Sequence, residues 1–74
     1  MPYISIKCYP KDDKTKREVV DEINKVFVAK WGCPPKAISI SLEEVSPENW
    51  HNVEENDVTP KEDKMYVLHG EKKY

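Results

Sequence analysis

The sequence predicts one small α+β domain built on a single βαβ unit. Three observations predict it. Residues 3–9 and 37–45 each alternate apolar and polar side chains, the period-2 pattern of a half-buried strand. A longer segment between them repeats its apolar residues at helical spacing. The whole chain is 74 residues long, which gives one domain, residues 1–74, and a thin core.

The first strand reads Tyr-Ile-Ser-Ile-Lys-Cys-Tyr, with Ile4, Ile6 and Cys8 alternating with Ser5 and Lys7. Pro10 stops it, because proline has no amide hydrogen to give a ladder. Asp12 or Asp13 can cap the following helix. Thr15 with Glu18 is an alternative capping box. Val19, Val20, Ile23, Val26, Phe27 and Trp31 form its apolar stripe, with Asp21, Glu22, Asn24 and Lys25 on the other side. Gly32 suits the left-handed position after a helix, and Pro34-Pro35 prevents continuation.

The second strand alternates Ile38, Ile40 and Leu42 with Ser39, Ser41 and Glu43. Two strands joined through a helix should be parallel, with a right-handed crossover. Ser46-Pro47 predicts a short helical turn through Trp50. Residues 51–58 are polar apart from Val53 and Val58, and weakly patterned. Thr59-Pro60-Lys61-Glu62 resembles a capping box, and predicts a short C-terminal helix with Met65 and Leu68 on its buried side and Gly70 at its end.

Two strands leave two open sheet edges and a half-covered helix, which is a poor monomer. Homodimerisation, edge to edge, would complete a four-stranded sheet. No other staple is legible. Cys8 and Cys33 are the only cysteines, and no His/Cys cluster has metal-ligand spacing. Metal and cofactor are therefore expected to be absent. "MPYISIKCYP" lacks a signal peptide's basic start and long apolar run. No segment approaches the roughly 20 apolar residues of a membrane span. The expectation is a cytoplasmic protein with reduced thiols. Charge is high but balanced, 12 Lys+Arg against 14 Asp+Glu, which argues against nucleic acid as a partner.

The residue with the most distinctive chemistry is Pro2. Aminopeptidases remove Met before small residues, so Met1 is expected to be cleaved and Pro2 to become an N-terminal secondary amine. An α-amino group titrates at roughly 7.7–8.0. Apolar surroundings lower that value by disfavouring the charged form. A neutral amine near pH 7 is a usable general base.

An N-terminal proline opening a short strand, then a helix and a second strand, resembles the 4-oxalocrotonate tautomerase family. "PYISIKCYP", "AISISLEEV" and "SPENW" look most like its longer, dimeric subgroup. The resemblance implies a two-layer β-α-β sandwich and an enol–keto tautomerase. Pro2 would move a proton from an enol oxygen to carbon.

Substrate-binding positions follow from the same resemblance. Lys11 is the nearest match to a family arginine after the first strand. Ser39 stands where a second arginine would be, a departure that disfavours dicarboxylates and favours a monocarboxylate enol of the phenylenolpyruvate type. Trp50 falls on an aromatic position that walls the proline pocket, and His51 lies beside it. The implied partners are a small enol or keto acid and a second copy of the chain, a dimer rather than a hexamer.

Two other readings stand beside this one. The same fold could hydrate or dehalogenate unsaturated acids, with Glu43 or Glu44 activating water. It could also serve as a non-catalytic dimeric binding domain.

Overall fold

The computed structural model describes residues 1–74. Strand β1 (Tyr3–Cys8) pairs in parallel with β2 (Ser39–Glu44), in a register from Tyr3↔Ser39 to Cys8↔Glu44. One further bond extends the ladder at each end: Ser39 N donates to the Pro2 carbonyl at 3.2 Å, and Val45 N to the Cys8 carbonyl at 2.8 Å.

Helix α1 (Asp13–Val26) joins them and runs on through a π-helical turn at Phe27–Trp31. Asp12, of the possible caps, is the one used. Its carboxylate accepts from the Thr15 amide at 2.9 Å and from the Thr15 hydroxyl at 2.8 Å, and these bonds hold the Asp12 carboxyl below its ordinary range. Gly32, at φ 75°, closes the helix in the left-handed region. The Cys33 thiol donates to the Phe27 carbonyl at 3.7 Å, satisfying one acceptor that the helix end leaves free.

The chain after β2 differs from the sequence expectation. A nearly continuous helical path covers residues 47–64: a 3-10 turn at Pro47–Asn49, helix α2 (Trp50–Val53), a π-helical turn at Glu54–Val58 and a 3-10 segment at Thr59–Lys64. The weakly patterned residues 51–58 are therefore helical. Only Trp50, Val53, Glu54, Asp57 and Val58 are not exposed, and with just three of them apolar there is no broad apolar stripe to read.

The short C-terminal helix lies earlier than expected, and Met65–Gly70 is not part of it. Instead β3 (Val67–Leu68) and β4 (Glu71–Lys72) form an antiparallel hairpin. Its two-residue turn, His69-Gly70, has φ 48° and 81°. Both are positive, as a type I′ turn requires and a right-handed helix forbids.

The sheet has two unlike faces. Ile4, Ile6, Cys8, Ile40 and Leu42 look toward α1, as the alternation predicts. Val20, Ile23 and Phe27 are half-buried there, but Val19 and Val26 remain 46% and 54% exposed. Asn24, expected on the far side of the helix, borders the groove between α1 and β2 with Val20, Ile38, Ile40 and Leu42. The other face carries Tyr3, Ser5, Lys7, Ser39, Ser41 and Glu43, and residues 50–65 lie across part of it. Val53, on this side, is the only buried residue of the chain, at 7% exposure.

The chain's accessible surface is 6020 Å². A compact monomer of 8.7 kDa would expose about 4,700 Å².

Candidate active site

Pro2 sits at the head of β1, half-buried, with its carbonyl fixed by the Ser39 amide. Met1 ahead of it is completely exposed, so nothing in the packing depends on it. Ser39 opposes Tyr3 in the register. Pro2 and Ser39 thus share one end of the sheet. Beside them the Tyr3 hydroxyl meets Ser41 Oγ at 3.1 Å. Hydrogen bonds from Ser41 and then Ser5 pull that phenol below its usual range.

Lys11 lies beyond the opposite end. The six residues of β1 at about 3.3 Å each put roughly 20 Å between the two groups within one chain. The Lys11 backbone is held firmly: its amide donates to Glu44 Oε2 at 2.8 Å, and the same oxygen receives Lys16 Nζ at 3.1 Å. These two donors, the Lys11 amide first, draw the Glu44 carboxyl below its ordinary value. The Lys11 ammonium itself joins no ion pair.

Trp50 is also toward the Lys11 end. Its ring meets Tyr9 edge-on at 5.1 Å, and its Nε1–H donates to Glu54 at 3.4 Å. His69 Nε2 approaches the same carboxylate at 3.3 Å, which tethers the C-terminal hairpin to the π-helical turn after α2. His51, next in sequence, is exposed and directs Nδ1 to the Glu48 carbonyl at 3.1 Å. It does not line the cleft that Trp50 borders.

That cleft lies between the polar sheet face and the helical path. Ser5, Lys7, Trp50, Val53, Asp57, Val58, Lys61 and Met65 line it, enclosing about 350 Å³. Lys7 Nζ donates to Asp57 Oδ2 at 2.6 Å, and this bond raises the Lys7 ammonium above its usual range. Sequence reasoning missed Asp57, Lys61 and Met65. The signal available for Lys61 was the Thr-Pro-Lys-Glu capping pattern, which fixes a turn but not what the turn faces.

One chain therefore brings Pro2 together with Ser39, and Trp50 together with Tyr9. It does not bring Pro2 to Lys11. Among the groups present, no cluster of His, Cys, Asp and Glu could hold a metal ion. No helix is long and apolar enough to cross a membrane.

Comparison with known proteins bears on what such an arrangement does. A family model described as "Tautomerase enzyme" matches residues 2–54, beginning at Pro2. Tautomerase PptA of Escherichia coli O127:H6 (strain E2348/69 / EPEC) is 32% identical over 62 residues, covering 81% of this chain and 83% of that protein. Tautomerase PptA of Escherichia coli strain SMS-3-5 / SECEC is 31% identical over the same shares of both chains. The protein of that name in Escherichia coli strain K12 / DH10B is 31% identical over 62 residues, 80% of its length. The chain belongs to the tautomerase family and is an isomerase of the tautomerase type.

Proposed function

We propose that this tautomerase uses the amine of Pro2, freed by loss of Met1, to interconvert a small monocarboxylate enol and its keto form. The observation that carries the proposal is the setting of Pro2. Its carbonyl accepts from the Ser39 amide, which ties Pro2 to the end of the sheet, and the fully exposed Met1 is open to an aminopeptidase. A positioned base is worth about 10²–10⁴ in rate.

The step balances without a co-reactant. The neutral amine takes the enol hydroxyl proton and becomes ammonium. The oxygen's electrons form the carbonyl, and the former double bond's electron pair takes a proton from the ammonium at carbon. The amine returns neutral. Ser39, uncharged, can donate a hydrogen bond to a substrate oxygen but offers no second positive charge. That favours one carboxylate over two, as in phenylenolpyruvate. Trp50 provides an aromatic wall, and Lys11 an unpaired positive charge. His51, bonded back to its own turn, is given no part.

The proposal includes a homodimer. The isolated chain exposes about 1,300 Å² more than a compact protein of its mass, which is more than the roughly 800 Å² each partner buries in a standard interface. Two-fold pairing through a strand edge runs the paired strands antiparallel. Pro2 of one protomer is then carried toward the end where its partner holds Lys11 and Trp50. The 20 Å separation within one chain is closed between two. Glu44 is bonded to Lys11 N and Lys16 Nζ, which weakens the reading of it as a water-activating base for hydration or dehalogenation.

The test uses two preparations, identified by intact mass: one processed to Pro2, one retaining Met1. The processed protein should ketonise phenylenolpyruvate at least about a hundredfold faster. Equal rates would overturn the proposal, and turnover of a haloacrylate in place of the enol would move the chemistry to dehalogenation.

A further inference from the structure

We infer that Lys61 anchors the carboxylate of the substrate, in the cleft walled by Trp50. The inference deepens the functional reading above and rests on it for the identity of the ligand. It adds a binding residue that lies beyond residues 2–54, the span matched by the family model.

The lining of the cleft selects its ligand. Trp50, Val53, Val58 and Met65 give it apolar walls. Three of its lining residues are ionisable, and two of them cancel: Lys7 and Asp57 form a direct ion pair at 2.6 Å. Lys61 has no such partner. The nearby Glu54 carboxylate is engaged by the Trp50 indole and by His69 and does not line the cleft. What remains is one positive charge at the edge of a cleft of mixed character, apolar along Trp50, Val53, Val58 and Met65, with Ser5 as a neutral hydroxyl.

A cavity of about 350 Å³ falls at the small end of ligand pockets. It fits a short acid with one carboxylate and an apolar or aromatic tail. A second carboxylate would meet the Asp57 side of the pair. Lys61 also stands at a break in the 3-10 segment, with φ −115° and ψ 18°, so its backbone departs from the helical path there.

Lys11 is the competing anchor, and its surroundings differ. It borders a different cleft, on the α1 side of the sheet, with Ile6, Cys8, Tyr9, Pro10 and Val19. Tyr9 stands between that cleft and Trp50. Lys61 shares the Trp50 cleft directly.

The experiment measures binding apart from turnover. The chain has two tryptophans, so Trp31→Phe leaves Trp50 as the only indole. In that background, 3-phenylpropionate, a saturated acid that cannot tautomerise, is titrated while Trp50 fluorescence is followed. Lys61→Gln should weaken binding about two- to fivefold, the scale of one exposed ion pair. Lys61→Arg should restore most of the loss. Raising salt from about 20 to about 300 mM should weaken the parent but hardly affect Lys61→Gln. Neutral 3-phenylpropanol should bind both proteins alike. In turnover, Lys61→Gln should raise KM for phenylenolpyruvate with kcat within about twofold, because the lost contact is equal in ground and transition states.

Equal 3-phenylpropionate affinity in the parent and Lys61→Gln overturns the inference. So does a loss confined to Lys11→Gln, or no response of Trp50 to the acid in the parent. The titration involves no proton transfer. If the Met1-retaining protein proved fully active, the Pro2 mechanism would fall and the assignment of Lys61 would still be read from binding.

Discussion

The two faces of the sheet invert the usual arrangement. The face toward α1 is made of isoleucine, leucine and cysteine, yet it is left half open. A groove of about 530 Å³ separates β2 from α1. The opposite face is made of serine, tyrosine, lysine and glutamate, yet it lies under the one buried residue, Val53. An apolar surface that its own chain does not cover marks a site of interaction with another molecule or a ligand groove. The polar surface that its own chain does cover carries a charge pair at 2.6 Å and borders the cleft walled by Trp50. The first face is read as surface that a second copy helps to cover when the two pair through their strand edges. The second is read as the place where a ligand sits.

The comparison breaks most sharply on the apolar face. Ile40, in the open groove, changed to aspartate would place an unpaired charge in the expected interface. Uncompensated burial of that kind costs on the order of 3–5 kcal/mol, a hundredfold or more in the dimer constant. Sedimentation should show the parent near twice the chain mass and Ile40→Asp near one, with unchanged helix content by circular dichroism. Ketonisation should fall with dimerisation, since one chain leaves Pro2 far from Lys11. A parent already monomeric, or one near six chains, would break the dimer reading.

On the covered face, Val53→Ala removes two buried methyl groups' worth of packing. The expected loss is about 1.5–2 kcal/mol, read as a lower denaturant midpoint at unchanged slope. Val19→Ala, on the exposed side of the stripe, should cost clearly less in the same experiment. If the two were equal, the claim that the chain's own core lies on the polar face would fail.

The smallest effect concerns pH. The Glu44 carboxyl is held below its ordinary range by the Lys11 amide and Lys16. A depressed folded value means that its stabilisation is present above the unfolded value, near pH 4, and is lost as pH falls through the lower folded value. Thermal melts from pH 6 to pH 3 should show the parent losing its small advantage over Glu44→Gln, the two curves converging at the acid end. A constant gap would mean that the carboxylate's charge is irrelevant to the loop that carries Lys11.

Much of this was legible along the chain. The alternation of Ile4, Ile6, Ile40 and Leu42 gave both strands and their inward face. The spacing from Val20 to Trp31, bounded by Asp12 and Gly32, gave the helix and its ends. Those features are read from neighbours a few residues apart, where hydrogen bonds and φ preferences act locally. Residues 51–58 were not legible, because a helix that touches the sheet only at Trp50, Val53 and Asp57–Val58 carries too few apolar residues to show a period. Met65 and Leu68 are three apart, a spacing that puts both on one face of a helix, yet the segment forms a hairpin. His69-Gly70, with two positive φ values, decided against the helix.

The candidate site divides the same way. The sequence by itself determined that a proline heads the first strand, that serine rather than arginine stands at position 39, and that an aromatic follows the second strand. Only the tertiary structure decided which of these meet. Strand length separates Pro2 from Lys11, and the fold of residues 47–64 across the polar face brings Lys61 to Trp50. The physical reason is range. Residue identity and local conformation are set by the covalent chain and its immediate hydrogen bonds, whereas the meeting of distant side chains depends on which surfaces bury one another.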